Sequence, residues 1–266
     1  MPLIEVNGVR LLVEESGAGE PVVLVHGSWN DREIWGLVEP ELASAYRVIS
    51  YDRRGHTGSE DSPEPGSRRD DEDDLAALVE TIVGGPAHVV GNSFGGTIAL
   101  SFAARRPDLV RSVFVHEPPL FGLVPDDPDV VAFIAGVGPV LELIDASESE
   151  QAARLFVDQV LGPGVWDELP PPVRASVVGI AATFAGEVRD PNWTAIDLAA
   201  LRDLERPVLF THGAASPPFF SAVIQKLNEM TPRAEVVTIA GAGHVPHTTH
   251  PELWLATARG FLDSAR

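Results

Sequence analysis

The pentapeptide GNSFG at residues 91–95 constrains the fold of this chain more than any other segment. It follows the apolar run 87–90 and precedes a helical stretch at 96–104. A Gly-x-Ser-x-Gly sequence between a strand and a helix is typical of a sharp turn that presents the serine hydroxyl above a sheet edge, where small flanking residues are needed. The spacing predicts Ser93 as a nucleophile, and a glycine-rich turn that only packs is the alternative.

Short apolar segments alternate with helical patterns along most of the chain, which predicts a mostly parallel sheet covered on both faces. An antiparallel hairpin is predicted before them, at 3–6 and 10–13, because its Asn-Gly connection at 7–8 suits a tight turn. The predicted strands of the parallel sheet are 22–25, 46–50, 87–90, 110–115, 208–210 and 235–239. The predicted helices begin near Asp31, Asp74, Phe94, Pro218 and Pro251.

The alternation stops between residues 118 and 206, where helical patterns near 130–143, 148–161 and 172–185 are separated by proline-rich joints. Because proline breaks helices and stiffens turns, we interpret 118–206 as a helical lid inserted into a sheet domain formed by 1–117 and 207–266. The polar stretch 67–74 is predicted to be a solvated loop that ends in a charged helix N-terminus at Asp73 and Asp74.

Composition excludes several classes of function. The chain has 266 residues, with 19 Lys and Arg against 39 Asp and Glu, so its formal charge is −20. Such a charge repels nucleic acid and anionic lipid, and neither is an expected partner. With no cysteine, disulfides and thiolate chemistry are unavailable. The first residues lack the basic segment and the long apolar segment of a leader peptide, so we expect a cytoplasmic protein. We expect a monomer or a homodimer.

A serine nucleophile needs a base, and His244 is the strongest of eight histidines because it follows the last predicted strand at the sheet edge that carries Ser93. A structural histidine is the alternative. Even spacing of His244, His247 and His250 also suggests a metal site. A metal site would also need a nearby carboxylate or water-activating partner, and His250-Pro251 is more typical of the start of a helix than of a ligand. We therefore expect no metal and no cofactor. His247 and His250 are then expected to surround the site or face solvent.

In this order, the segments HGSW at 26–29, YDRRGHTGS at 51–59, GNSFG at 91–95 and GAGH at 241–244 resemble those of the α/β-hydrolase superfamily. The resemblance implies the α/β-hydrolase fold. It also implies that the backbone N–H groups of Ser28 and Phe94 form the oxyanion hole. Each fixed donor of this kind increases the reaction rate by about 10²- to 10³-fold.

The acid departs from the commonest pattern of that superfamily, because the strand at 208–210 runs into a segment without a carboxylate. Some relatives place the acid after the strand that follows the elbow helix, and the corresponding residue here is Glu117. The resemblance therefore implies Glu117 as the residue that orients His244. Asp190 and Asp197 are weaker substitutes.

The segments HEPP at 116–119, GAASP at 213–217, the pair Phe219 and Phe220, and HVPH at 244–247 are similar to those of zearalenone-type lactone hydrolases. That resemblance implies a Ser-Glu-His triad without a cofactor, acting on a carboxylic ester or lactone, with a resorcylic macrolactone as one candidate. A ligand-sensing protein with slow turnover is the alternative from another class. A perhydrolase and a carbon-carbon hydrolase are alternatives within the fold.

The substrate pocket is expected between Ser93 and the lid, lined by large apolar side chains that favour an apolar or aromatic substrate. Simple packing within the lid is the alternative for each of these side chains. The predicted contacts are Trp29, Phe121, Trp193, Phe219 and Phe220.

Overall fold

The computed structural model describes residues 2–61, 66–231 and 233–266, and one eight-stranded sheet runs through these residues. The β1–β2 and β2–β4 pairs are antiparallel, and the other neighbouring pairs are parallel. The order across the sheet is β1-β2-β4-β3-β5-β6-β7-β8. The strands are β1 (Leu3–Val6), β2 (Val9–Gly17), β3 (Pro21–Val25), β4 (Arg47–Tyr51), β5 (Ala87–Asn92), β6 (Val110–His116), β7 (Val208–Gly213) and β8 (Ala234–Ile239).

The helices cover the sheet and fill the chain between β6 and β7. They are α1 (Glu39–Ala43), α2 (Arg68–Leu78), α3 (Phe94–Arg105), α4 (Pro128–Asp145), α5 (Ser149–Leu161), α6 (Val165–Glu168), α7 (Pro171–Gly179), α8 (Ala181–Arg189), α9 (Leu198–Arg202), α10 (Pro218–Met230), α11 (Pro246–Thr249) and α12 (Pro251–Ser264). Both the parallel sheet and the hairpin are confirmed. Asn7 and Gly8 have φ of 42° and 80°, as a primed hairpin turn requires.

Two hydrophobic cores lie on opposite faces of the sheet because successive side chains of a strand alternate between faces. Val23 and Val25 pack in the core that includes α2, α3 and α10. Val22 and Leu24 pack in the other core, with α1 and α12. Strands buried on both faces explain the continuous apolar runs in the sequence.

A third core lies among the helices between β6 and β7 and contains side chains of α4, α5, α7 and α8. These helices occupy the predicted positions, except that the segment near 172–185 is divided into α7 and α8 at Ile180. Trp29, from the loop after β3, packs in this third core. The helices are therefore joined to the sheet at the edge that carries the candidate site.

Two predicted helix starts were wrong. The helix expected near Asp31 is a single 3₁₀ turn, Arg32–Trp35, which Asp31 caps. The helix expected near Asp74 begins six residues earlier, at Arg68, after a capping box formed by Ser67 and Asp70.

The prediction of a solvated loop at 67–74 was also wrong, because α2 turns several of its acidic residues inward. Asp71, Glu72 and Asp74 are buried. Asp71 accepts a hydrogen bond from Arg53 at 3.1 Å. Asp74 accepts one from Arg54 at 2.7 Å. Buried carboxylates are tolerated because arginines pair with them.

Candidate active site

Ser93 occupies the sharp turn between β5, near the centre of the sheet, and α3. Its φ of 55° and ψ of −128° are unusual for a residue with a side chain, and such strain is concentrated at functional sites. The flanking glycines have a steric reason. A Cβ on Gly91 would lie 2.4 Å from the Gly95 carbonyl oxygen, and one on Gly95 would lie 2.2 Å from the Val25 oxygen.

Glu117 and His244 meet at the same sheet edge, directly after β6 and in the loop after β8. His244 Nδ1 lies 2.7 Å from Glu117 Oε2. The other carboxylate oxygen accepts a hydrogen bond from the Gly213 N–H at 2.7 Å. Glu117 has a φ of 47°, which turns its buried side chain away from the path of β6. The carboxylate is thus fixed between the ends of β7 and β8.

Burial of the Glu117 carboxyl opposes its ionisation, but the imidazoles of His116 and His244 outweigh this effect and lower its pKa to about 2. The carboxylate is therefore ionised at neutral pH. An ionised acceptor at Nδ1 fixes the proton of His244 on that nitrogen. The second ring nitrogen, Nε2, is then free to accept a proton.

His244 and Ser93 line one cavity. The backbone oxygen of His244 accepts a hydrogen bond from the Asn92 side chain at 3.0 Å, which connects the histidine loop to the residue before the nucleophile. The ring of His244 stacks on Phe220 at 4.8 Å. Within the described residues, Ser93 Oγ and His244 Nε2 form no hydrogen bond, and such contacts often tighten only when substrate binds.

His116 supports this pair, and the sequence reasoning missed it. Its Nδ1 lies 2.9 Å from the Thr211 hydroxyl, and its Nε2 lies 3.3 Å from the Gly243 oxygen and 3.6 Å from Glu117. Burial lowers the pKa of His116 to about 4. The neutral ring therefore links β6, β7 and the loop that carries His244. Its position next to Glu117 was the only available sequence signal.

The loop after β3 places Ser28 beside the nucleophile. A Cβ on Gly27 would lie 2.9 Å from Ser93 Cβ, so the loop approaches the elbow as closely as glycine permits. His26 Nε2 accepts a hydrogen bond from the Arg53 backbone N–H at 3.0 Å. Phe94 is the first residue of α3, where a backbone N–H has no partner within the helix. Ser28 and Phe94 both line the cavity with Ser93.

The cavity has a volume of about 570 Å³, which is within the usual range for small-molecule sites. Four of the five predicted substrate contacts line it: Trp29, Phe121, Trp193 and Phe220. Phe219 is absent from the described lining and packs behind it, with its ring 5.5 Å from those of Phe121 and Phe133.

The walls of the cavity are mainly apolar. Phe133, Phe156 and Phe184 come from the helices between β6 and β7, and the rings of Phe156 and Phe184 lie 5.5 and 4.9 Å from that of Trp29. Asp31 and Glu33 are the carboxylates of the lining, and the described lining includes no Lys or Arg. The cavity therefore offers hydrophobic contact and no fixed cation.

The other candidate residues lie elsewhere. Asp190 accepts a hydrogen bond from the Arg68 backbone N–H, and Asp197 caps α9. His247 is wholly buried, with its ring 4.5 Å from Trp35. Of the two expectations for His247, surrounding the site or facing solvent, the second is excluded. The partly exposed His250 contacts the Thr249 hydroxyl.

A model of the alpha/beta hydrolase family matches residues 22–258. The chain belongs to this family. The match covers the strands from β3 to β8 and the helices between β6 and β7, which agrees with the fold predicted from the sequence.

Two relatives match across nearly their whole lengths. A 2-(acetamidomethylene)succinate hydrolase from Mesorhizobium japonicum is 28% identical over 98% of this chain and 94% of its own. A 2-hydroxymuconate semialdehyde hydrolase from a Pseudomonas species is 29% identical, over 97% of this chain and 92% of its own. This alpha/beta hydrolase is accordingly an enzyme of the hydrolase class.

The solved structures share the fold. The enol-lactonase from Burkholderia xenovorans aligns with a TM-score of 0.80, covering 98% of this chain and all of that one, at 21% identity. Among the helices that the structure describes, none has the length and hydropathy to cross a membrane.

Proposed function

We propose that this alpha/beta hydrolase cleaves a neutral carboxylic ester or lactone through an acyl-enzyme on Ser93, without a cofactor. The observation that carries the proposal is the 2.7 Å contact between Glu117 and His244, because His244 lines the same cavity as Ser93. A nucleophile, a base and an orienting acid at one sheet edge are the groups that acyl transfer requires.

In the proposed reaction, His244 Nε2 accepts the Ser93 proton as Oγ attacks the ester carbonyl carbon. The imidazolium then gives this proton to the leaving alkoxide, and the carbon-oxygen bond breaks to leave an acyl-enzyme. Water, deprotonated by the same nitrogen, attacks the acyl carbon and releases the acid and the free Ser93 hydroxyl. Glu117 stabilises the imidazolium in both steps without accepting the proton.

The backbone N–H groups of Ser28 and Phe94 are proposed to stabilise the oxyanion of each tetrahedral intermediate. The tight approach of the Gly27 backbone to Ser93 supports this assignment. Because the surrounding contacts hold both donors in place before substrate binds, they need little reorganisation when charge develops on the oxygen.

We further propose that residues 118–206 form a lid and that the lid selects the substrate. Phe133, Phe156 and Phe184 belong to this segment and line the cavity. An aromatic or otherwise apolar group would contact these walls. A resorcylic macrolactone belongs to this class of substrate.

The charge of the cavity favours a neutral substrate. The substrate named for one relative, 2-(acetamidomethylene)succinate, carries two carboxylates. Burying a carboxylate without a cation is costly, and the described lining has neither Lys nor Arg but does have Asp31 and Glu33. We therefore propose that this chain prefers neutral esters to their anionic analogues.

The test is acid release in a pH-stat with short alkyl esters, aryl esters, small lactones and resorcylic macrolactones, each neutral ester paired with a carboxylated analogue. We expect rapid release from an apolar neutral substrate and at least about 10⁴-fold less from Ser93→Ala. Equal rates for the parent and Ser93→Ala would overturn the mechanism. A preference for the carboxylated analogues would overturn only the substrate class.

A further inference from the structure

Glu187, on α8, is a buried carboxylate that joins the helices between β6 and β7 to the loop at Ser28. It is only 5% exposed. Its Oε2 accepts a hydrogen bond from the Ser28 hydroxyl, and its Oε1 accepts one from Arg53 Nη2. A buried charge persists only with such partners, so both contacts fix the position of α8 over the loop.

Arg53, the second partner, contacts both segments that the proposed function assigns to the oxyanion hole. Its Nη2 lies 3.4 Å from the Gly27 oxygen, and its guanidinium carbon lies 5.2 Å from the centre of the Phe94 ring. Asp71 accepts a hydrogen bond from its other terminal nitrogen at 3.1 Å. Glu187 thus completes a set of contacts around the backbone of residues 27, 28 and 94.

The backbone conformation of the Ser28 loop is locally unfavourable. The next residue, Trp29, has a φ of 56°, a left-handed conformation that is unfavourable for a large side chain. External contacts must therefore maintain it. The hydroxyl of Ser28 is engaged by Glu187, which leaves the backbone N–H of Ser28 as the group available to an oxyanion.

We infer that Glu187 is a positioning residue that couples α8 to turnover by holding the Ser28 backbone N–H in place. This inference rests on the proposed acyl-transfer function. Glu187 contacts Ser28 and Arg53 rather than Ser93 or His244, and it is absent from the described cavity lining. Its removal should consequently affect the transition state more than substrate binding.

The test is a double-mutant cycle of Glu187→Ala and Ser28→Ala, with kcat normalised to the Ser93 sites titrated by a fluorophosphonate. Each single variant should lose about 10- to 100-fold in kcat, because small misplacements of catalytic groups have effects of this size, while KM changes less than about threefold. The double variant should lose no more than the worse single variant, since both remove one contact.

Glu187→Gln should recover most of the lost kcat. Its amide oxygen can accept from Arg53 while its NH₂ donates to Ser28 Oγ. Glu142→Ala is the matched control, because Glu142 is an exposed glutamate on α4, and it should leave kcat unchanged.

A kcat per titrated site within about twofold of the parent in Glu187→Ala, or losses that multiply in the double variant, would overturn the inference. If Glu187→Ala does not fold, Ser28→Ala decides the question, because it retains Glu187 and Arg53: a parent-like kcat would overturn the coupling. Full activity in Ser93→Ala would instead overturn the proposed function itself, whatever the Glu187 variants do.

Discussion

The sheet and the helices between β6 and β7 differ in how their residues relate to the site. At the sheet, Ser93 and Glu117 directly follow strand ends, and each has an unusual positive φ. Ser93 lines the cavity, and the buried Glu117 contacts His244. Among the helices, similar aromatic side chains have different surroundings: Phe184 lines the cavity, whereas Trp166 packs only within the helical core.

The difference has a physical origin. Parallel strands end at a common edge, so a residue after a strand has only a few possible neighbours. A helix places residues on all sides, and packing against other helices decides which ones face a cavity. We therefore expect the catalytic groups to lie next to strand ends in the sequence, whereas the residues that contact substrate depend on how the helices pack.

The largest predicted effect concerns Glu117, the proposed acid at the sheet edge. Glu117→Gln should lower kcat by about 10³- to 10⁴-fold, because the amide cannot hold His244 in the productive tautomer or stabilise its charge. Steady-state kinetics on the best neutral ester measure the loss. Asp190→Ala and Asp197→Ala, which change carboxylates of the helical region, should remain within about fivefold of the parent. A larger loss of kcat in either variant would indicate that the acid lies in the helical region and not at the sheet edge.

A smaller effect separates the cavity wall from helix packing. Phe184→Ala should raise KM about tenfold, since a buried phenylalanine contributes about 1.5 to 3 kcal/mol of hydrophobic contact. Trp166→Ala should lower the free energy of unfolding by about 3 to 5 kcal/mol and leave KM unchanged. Kinetics and urea denaturation of both variants test the distinction. If Trp166→Ala changed KM as much as Phe184→Ala, the distinction would be wrong.

The smallest effect on turnover is expected at His88, in β5, whose ring Nδ1 lies 2.7 Å from the Ser112 hydroxyl. Burial lowers the pKa of His88 to about 4, from an ordinary 6.5. The neutral ring therefore contributes stability above pH 6.5 that is lost as the pH falls through 4.

The unfolding free energy of the parent should fall as the pH is lowered from 6.5 to 4. His88→Gln should reduce the slope of this fall by up to about 1.4 kcal/mol per pH unit. Its kcat should equal that of the parent. Denaturation at several pH values gives the difference between the two proteins. An identical pH dependence would show that the pKa of His88 is the same in the folded and the unfolded protein.

The strands, the hairpin and the location of Ser93 and His244 at one sheet edge could be predicted from the sequence, because apolar runs identify the strands that end there. The choice of Glu117 rested on the resemblance to relatives, with Asp190 and Asp197 as weaker substitutes. The sequence was insufficient for α2, because its charged residues predict a solvated loop. The partners Arg53 and Arg54, which make burial of Asp71 and Asp74 tolerable, are identified only by the fold.

The same limit applies to Glu187 and Phe219. Nothing in the α8 sequence marks Glu187 as a buried residue, since its significance comes from Ser28, 159 residues away. Phe219 and Phe220 are adjacent, but the turn of α10 directs only Phe220 to the cavity. Helix orientation, which the sequence pattern did not resolve, decides between them.

An acyl-enzyme on Ser93 can be trapped by mixing the enzyme with excess neutral aryl ester and quenching rapidly with acid. Peptide mass spectrometry then identifies the acylated residue. We expect a burst of phenol close to the enzyme concentration and a mass increase equal to the acyl group on the peptide carrying Ser93. Acylation of another residue, or undiminished turnover by Ser93→Ala, would contradict the account.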